Sequence, residues 1–164
     1  MSLTAQQKTD LNNEIANDPK AKGYAALLPD KPGVVCDLLN EKTESLPEPR
    51  QISSRGVASA LGLIDGEAFL KALENFSTAT LQSTDPLLPY QPGIKRQIQW
   101  LSTEAGLDLG DALTRQLLDT LASAGIITTA AATTLKNLAM QPASRAEVLG
   151  LPFMTTELLS SRNQ

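Results

Sequence analysis

Residues 108–140 read DLGDALTRQLLDTLASAGIITTAAATTLKNLAM, and this stretch decides the fold class. Leu109, Leu113, Leu117 and Leu121 recur every four residues, which lays an apolar stripe along one face of a helix. Asp108 is placed to cap the start of that helix. Gly125 sits where a left-handed residue closes a helix, with Ile126 as its apolar follower. Thr128 is placed to cap a second helix with Ala131, Leu135 and Leu138 facing inward. So short a connection implies an antiparallel helical hairpin.

The same periodicity extends outward. Ile94, Ile98, Leu101 and Ala105 form one helical face that Gly106 is placed to stop. Residues 78–92 hold Pro86, Pro89 and Pro92 and few helix signals, so they read as a linker. Before it, Asp65 is placed to cap a helix carrying Phe69, Leu73 and Phe76. Ser53 or Ser54 opens another, with Val57, Ala60 and Leu61, that Gly62 ends. Residues 43–50, with Pro47 and Pro49, read as an exposed loop. A helix from Gly33 to Glu41 puts Val34, Val35, Leu38 and Leu39 on one side, after a turn bracketed by Pro29 and Pro32 and a connector at Gly23-Tyr24-Ala25. Thr4 and Gln7 form a capping box for a first helix that carries Leu11 and Ile15 and stops at Asp18-Pro19. Beyond the hairpin, Pro142 breaks the chain, Ser144 and Glu147 form a second capping box, Gly150 closes that turn, and a last short helix lies around residues 157–161. The fold class expected is all-α: a small multi-helix bundle with a C-terminal helical hairpin and proline-rich connecting loops. The expected division is 1–77, a linker at 78–92, and 93–164, or one compact domain overall.

Composition agrees with helices. Of 164 residues 41 % are hydrophobic but only 4 % aromatic, so the core must be Leu, Ile, Val and Ala. The formal net charge of −4 argues against non-specific binding of nucleic acid or anionic membranes, and Lys95-Arg96 is the nearest thing to a basic cluster. No stretch approaches the roughly 20 apolar residues of a membrane span, and residues 1–17 carry no signal-peptide apolar run. The expectation is a soluble chain made in a reducing compartment.

Reactive groups are scarce. The sequence has no histidine, which removes Ser-His-Asp and Cys-His catalysis and the usual zinc sites. Cys36 is the single cysteine; among apolar neighbours and beside Asp37 it reads as a core residue rather than a nucleophile. The carboxylates are dispersed, and those at Asp65 and Asp108 are explained by helix capping. Gly62 and Gly66 lack the Lys-Ser/Thr of a phosphate loop. Two segments, 53–62 and 144–151, look superficially like helix-turn-helix elements, but each offers one arginine to a DNA groove. No catalytic residue, cofactor or metal is therefore expected, and function falls to protein–protein contact. Tyr90 in the proline-rich segment, Trp100 at the edge of its helix's apolar stripe and Phe153 after Pro152 are the candidate partner-interface residues, because exposed aromatics anchor interfaces.

Two patterns carry a resemblance. One is Leu11, Ile15, Asn17-Asp18-Pro19, Gly23-Tyr24-Ala25 and Leu38-Leu39-Asn40. The other is Leu138-Ala139, Pro142, Ser144-Arg145-Ala146-Glu147-Val148-Leu149-Gly150-Leu151, Leu158 and Arg162. Together they resemble a family of small proteins encoded among the structural genes of tailed bacteriophages, with a variable middle at 42–92. A proline-containing insertion, Leu27 to Gly33, departs from that pattern. The resemblance implies a non-enzymatic virion protein, made in the host cytoplasm, whose partners are other phage structural proteins in a symmetric assembly at the neck, tail, fibre attachment point or capsid surface. The alternatives weighed are an assembly factor or tail chaperone absent from the mature particle, and a small DNA-binding regulator.

Overall fold

The capping and stop signals are realised as a chain that is 61 % helix and 8 % strand. A computed structural model describes residues 2–28, 30–103 and 106–162. In chain order the elements are α1 (Ala5–Asn17), α2 (Tyr24–Leu27), α3 (Pro32–Asn40), β1 (Glu44–Pro47), β2 (Gln51–Ile52), α4 (Ser54–Leu61) and α5 (Leu63–Thr78). After a 3-10 turn at Leu88–Tyr90 come α6 (Gln91–Leu101), β3 (Leu107–Asp108), α7 (Ala112–Ser123), α8 (Thr129–Leu138), β4 (Met140–Ala143), α9 (Arg145–Val148) and α10 (Thr156–Ser161). The fold is therefore mostly helical rather than purely so: β1 pairs with β4, and β2 runs antiparallel to β3 with Gln51 opposite Asp108 and Ile52 opposite Leu107. Residues 43–50, expected as a loop, include β1, in which Glu44 and Leu46 are half-buried and Ser45 and Pro47 exposed.

Contacts divide the chain into two units: residues 1–46 with 141–164, and residues 47–140. The proline-rich segment 78–92, expected as a boundary, lies inside the second unit. It is tied there: the Gln91 side chain donates to the Phe76 and Ala79 carbonyls at 2.8 and 2.7 Å, and Leu81 and Leu87 pack against the core.

In the first unit both expected capping boxes form. Gln7 N–H donates to Thr4 Oγ1 at 3.2 Å while Thr4 N–H donates to Gln7 Oε1 at 3.0 Å. Glu147 N–H donates to Ser144 Oγ at 3.1 Å while Ser144 N–H donates to Glu147 Oε2 at 2.6 Å. That last bond holds the Glu147 carboxyl below its usual range. Asp18 ends α1 in the left-handed conformation, with φ +40°. Its carboxylate then accepts from Lys22 N–H at 2.7 Å and Gly23 N–H at 2.6 Å. The Gly23-Tyr24-Ala25 connector is thereby the start of one-turn helix α2, and Tyr24 is fully buried. Leu11, Ile15, Tyr24, Val35, Cys36 and Leu39 form a core with Ala146, Leu151, Met154, Leu158 and Leu159. Val34, expected on the inner side of α3, is 41 % exposed. Pro29 lies outside the described residues.

In the second unit α7 and α8 pack on each other across the expected turn. Gly125 has φ +71°; its N–H donates to the Ala122 carbonyl, and Ile126 N–H to the Leu121 carbonyl, both at 3.0 Å. That pair of bonds is a Schellman closure, which needs a residue comfortable at positive φ. Ala131 and Leu135 are buried and Leu138 is half-buried.

The α7 face differs from expectation. Asp111, not Asp108, is the cap, accepting from Thr114 N–H at 2.8 Å. The helix begins after Leu109, so the four-residue series is out of phase: Leu113 is 74 % exposed, while Thr114, Leu117, Leu118 and Leu121 face the core. Asp108 instead accepts from the Arg50 and Gly110 N–H groups, bracing β3 beside β2.

Upstream, Ser53 is the α4 cap, and the Ser54 hydroxyl donates to the Leu101 carbonyl. Gly62 closes α4 and also stands at the start of α5, so Asp65 lies in the first turn rather than at the cap. Phe69, Leu73 and Phe76 are buried as expected. Helix α6 ends at Leu101, before Gly106. Gly106 is required elsewhere: at φ +66°, a Cβ there would stand 2.7 Å from the Ile52 carbonyl oxygen. Ala105, expected on the α6 stripe, lies outside the described residues.

Candidate functional site

Helix α6 carries Trp100, and Tyr90 immediately precedes its first residue. Ile94 and Leu101 are buried, so they fix which way the helix faces. Stepping about 100° per residue from them puts Lys95, Arg96, Gln99 and Trp100 on the opposite side, and all four are exposed. Trp100 is 50 % exposed, one turn after Arg96 on the same strip. Tyr90, 39 % exposed, stands where the 3-10 turn runs into α6. Phe153 belongs to the other unit, in the loop between α9 and α10, and is 76 % exposed. None of the three closes the core of its own unit. The structure places Tyr90 just before α6 and Trp100 near its end, with Phe153 in the other unit.

Sequence reasoning missed a second apolar surface. Leu63 and Ile64, in the first turn of α5, are 79 % and 85 % exposed. The signal was present: extending the phase set by Phe69, Leu73 and Phe76 backwards puts both off the inner stripe. A separate groove of about 430 Å³ runs between α5 and the α7–α8 turn, lined by Asp65, Ala68, Phe69, Ala72, Ile126 and Ala131 among others; Leu63 and Ile64 are not among its lining residues.

The first unit holds the most ordered polar cluster. Glu14 is 4 % exposed and accepts two bonds from Arg145, from Nε at 2.8 Å and Nη2 at 2.6 Å. Next to this pair in charge influence is Tyr24, whose buried hydroxyl has no partner among the described residues. Burial, then the nearby charges of Glu14 and Asp18, push that hydroxyl up to about 12. A bidentate pair satisfies both members and fixes geometry; it ties α1 to α9 rather than presenting a reactive group. Cys36 is buried, and burial followed by Asp37 pushes its thiol up, opposite to what a nucleophile needs. Among the described residues no three His, Cys, Asp or Glu side chains converge to hold a metal ion. No described helix is long and apolar enough to cross a membrane.

No family model, curated protein or solved structure matches this chain.

Proposed function

We propose that this chain is a non-enzymatic structural protein of a tailed-bacteriophage particle, a small multi-helix bundle that works through protein–protein contacts. The observation that carries the contact reading is the set of large apolar side chains held in solvent by ordered helices: Leu63, Ile64, Trp100 and Leu113. Their backbone is fixed by buried neighbours, so ordering them on binding costs little entropy, which favours interfaces. The placement of the family-like patterns supports the phage reading. Asp18, Gly23 and Tyr24 of one pattern and Arg145, Glu147 and Gly150 of the other meet in one unit, where each has a structural task. Asn40 of the first pattern also makes a reciprocal pair of bonds, both 2.8 Å, with the backbone of Met154, which lies between Leu151 and Leu158. On this reading the partners are other phage structural proteins, the site of action is the virion, and symmetry repeats each contact around the particle.

The test is mass spectrometry of purified particles against the assembling lysate. The proposal expects the chain in particles at a fixed ratio to the other structural proteins. Its presence in the lysate with none in particles would make it an assembly factor. Absence of co-purification with any phage protein would contradict the contact reading itself.

A further inference from the structure

The chain enters and leaves residues 47–140 side by side. It runs out of the first unit along β1 and returns to it along β4, and these two strands are neighbours in one sheet. Paired strands lie about 4.8 Å apart, so the two ends of the second unit meet, which is what a domain needs to sit inside another chain. The cores follow the same cut. Among the described residues, one core draws its buried members from Ile52 to Ala139, all within 47–140. The other draws them from Leu3 to Leu39 and from Ala146 to Leu159, all within 1–46 and 141–164. Each unit is longer than the roughly 60 residues at which single domains commonly fold alone.

The second unit also closes its own ends. Glu48 N–H donates to the Ala139 carbonyl at 2.9 Å, and the Arg50 guanidinium donates to the Leu138 carbonyl at 2.8 Å. From α7, the half-buried Arg115 donates to the Lys136 carbonyl at 2.9 Å and to the Leu109 carbonyl at 3.3 Å. The last carbonyls of a helix lack partners within it; the two arginines supply donors to those of Lys136 and Leu138 at the end of α8. Gly110 lets the entering chain lie close, since a Cβ there would collide with the Glu48 carbonyl. Every donor and acceptor in this clasp lies within 47–140, so the first unit supplies none of it.

We propose that residues 47–140 are an autonomous insert. They fold and unfold as a cooperative unit of their own, with Arg50 and Arg115 holding the two ends together in place of the flanking chain. Residues 1–46 and 141–164 close on each other independently of it. The exposed side chains at Leu63, Ile64, Trp100 and Leu113 then belong to a module whose fold does not depend on the rest of the chain.

Trp100, the single tryptophan, lies in the insert, so its emission follows the insert alone. Hydrogen exchange by mass spectrometry follows both units peptide by peptide. The full chain is unfolded in urea as wild type, as Leu39→Ala and as the double variant Arg50→Ala/Arg115→Ala. Leu39 is fully buried in the core of the first unit. The proposal expects Leu39→Ala to speed exchange in α1, α3 and α10 by roughly thirtyfold or more, with the Trp100 urea midpoint unmoved. A first unit already unfolded in buffer, with that midpoint still unmoved, is the same result in stronger form. The double arginine variant should lower the Trp100 midpoint and speed exchange in α4 to α8 by roughly tenfold, with exchange in the first unit unchanged. A Trp100 midpoint that falls in Leu39→Ala makes the chain one cooperative unit and overturns the proposal. So does first-unit exchange that quickens in the arginine variant, or an arginine variant that leaves the insert as stable as before. No phage partner enters the measurement, so its outcome is independent of the particle reading.

Discussion

The two units differ in how far apart in sequence their tied residues lie. The first, residues 1–46 with 141–164, has an apolar core and is also tied by polar bonds between its two distant segments. Gln7 reaches the Gly150 carbonyl, Glu14 meets Arg145, and Asn40 pairs with Met154 over separations of 143, 131 and 114 positions. The second, residues 47–140, is built mainly from helices that pack on their neighbours in sequence: α4 on α5, α5 on α6, α7 on α8. Its core is almost wholly aliphatic and aromatic. Among the described residues it also carries five of the seven large apolar side chains left in solvent: Leu63, Ile64, Tyr90, Trp100 and Leu113. A unit assembled from local pairs can leave a helix face open without losing its fold. In a unit closed by distant polar bonds, losing one partner strands the other, as Glu14 would be without Arg145.

The contrast predicts where single substitutions hurt most. Arg145→Ala leaves the Glu14 carboxylate buried without its partner, and should cost about 3 kcal/mol of stability. Replacing both residues with leucine should cost much less, since no charge is then stranded. Chemical denaturation of the two variants checks this; equal losses would mean the pair acts through packing rather than charge.

Leu121→Ala empties a position only 1 % exposed and should cost about 2–5 kcal/mol. Leu113→Ala, eight residues earlier on the same helix, should stay within about 0.5 kcal/mol. Comparable losses at both positions would place Leu113 in the core and break the phase assigned to α7.

The smallest effect belongs to Tyr24. Its hydroxyl titrates near 12 in the folded chain against 10.0 ordinarily. Below pH 10 both folded and unfolded chains hold the proton and the group adds no pH dependence. Between pH 10 and 12 the unfolded chain releases it first, so stability falls as pH rises. Tyr24→Phe should raise the melting temperature at neutral pH slightly, because it removes a buried hydroxyl that has no partner among the described residues, and should flatten the alkaline decline. Melting curves from pH 8 to 12 decide it, and an undiminished decline in the variant would count against a buried Tyr24.

Legibility in the sequence depended on how local each signal is, in both units. Gly125, Thr128 and the two capping boxes were readable because each signal acts within four or five residues. Leu113 was misread because Leu109, the apparent start of its series, lies before the helix and is buried from the β3–α7 connection. The strands escaped notice because β2 and β3 are two residues long and β1 contains a proline. The Glu14–Arg145 pair left no local trace at all; Arg145 was visible only as part of a cap motif. Trp100 was readable from its angle on the wheel, and Leu63 and Ile64 could have been found by the same geometry.

Residues 1–46 and 141–164 form one unit, tied by polar bonds between its distant segments, and residues 47–140 form a second unit with a core of their own. Hydrogen exchange by mass spectrometry on wild type and Arg145→Ala tests this division most directly. The account predicts that the substitution strips protection from the amides of α1, α3 and α9 while α7 and α8 keep theirs. Uniform loss across all five helices, or loss confined to α9, would contradict it.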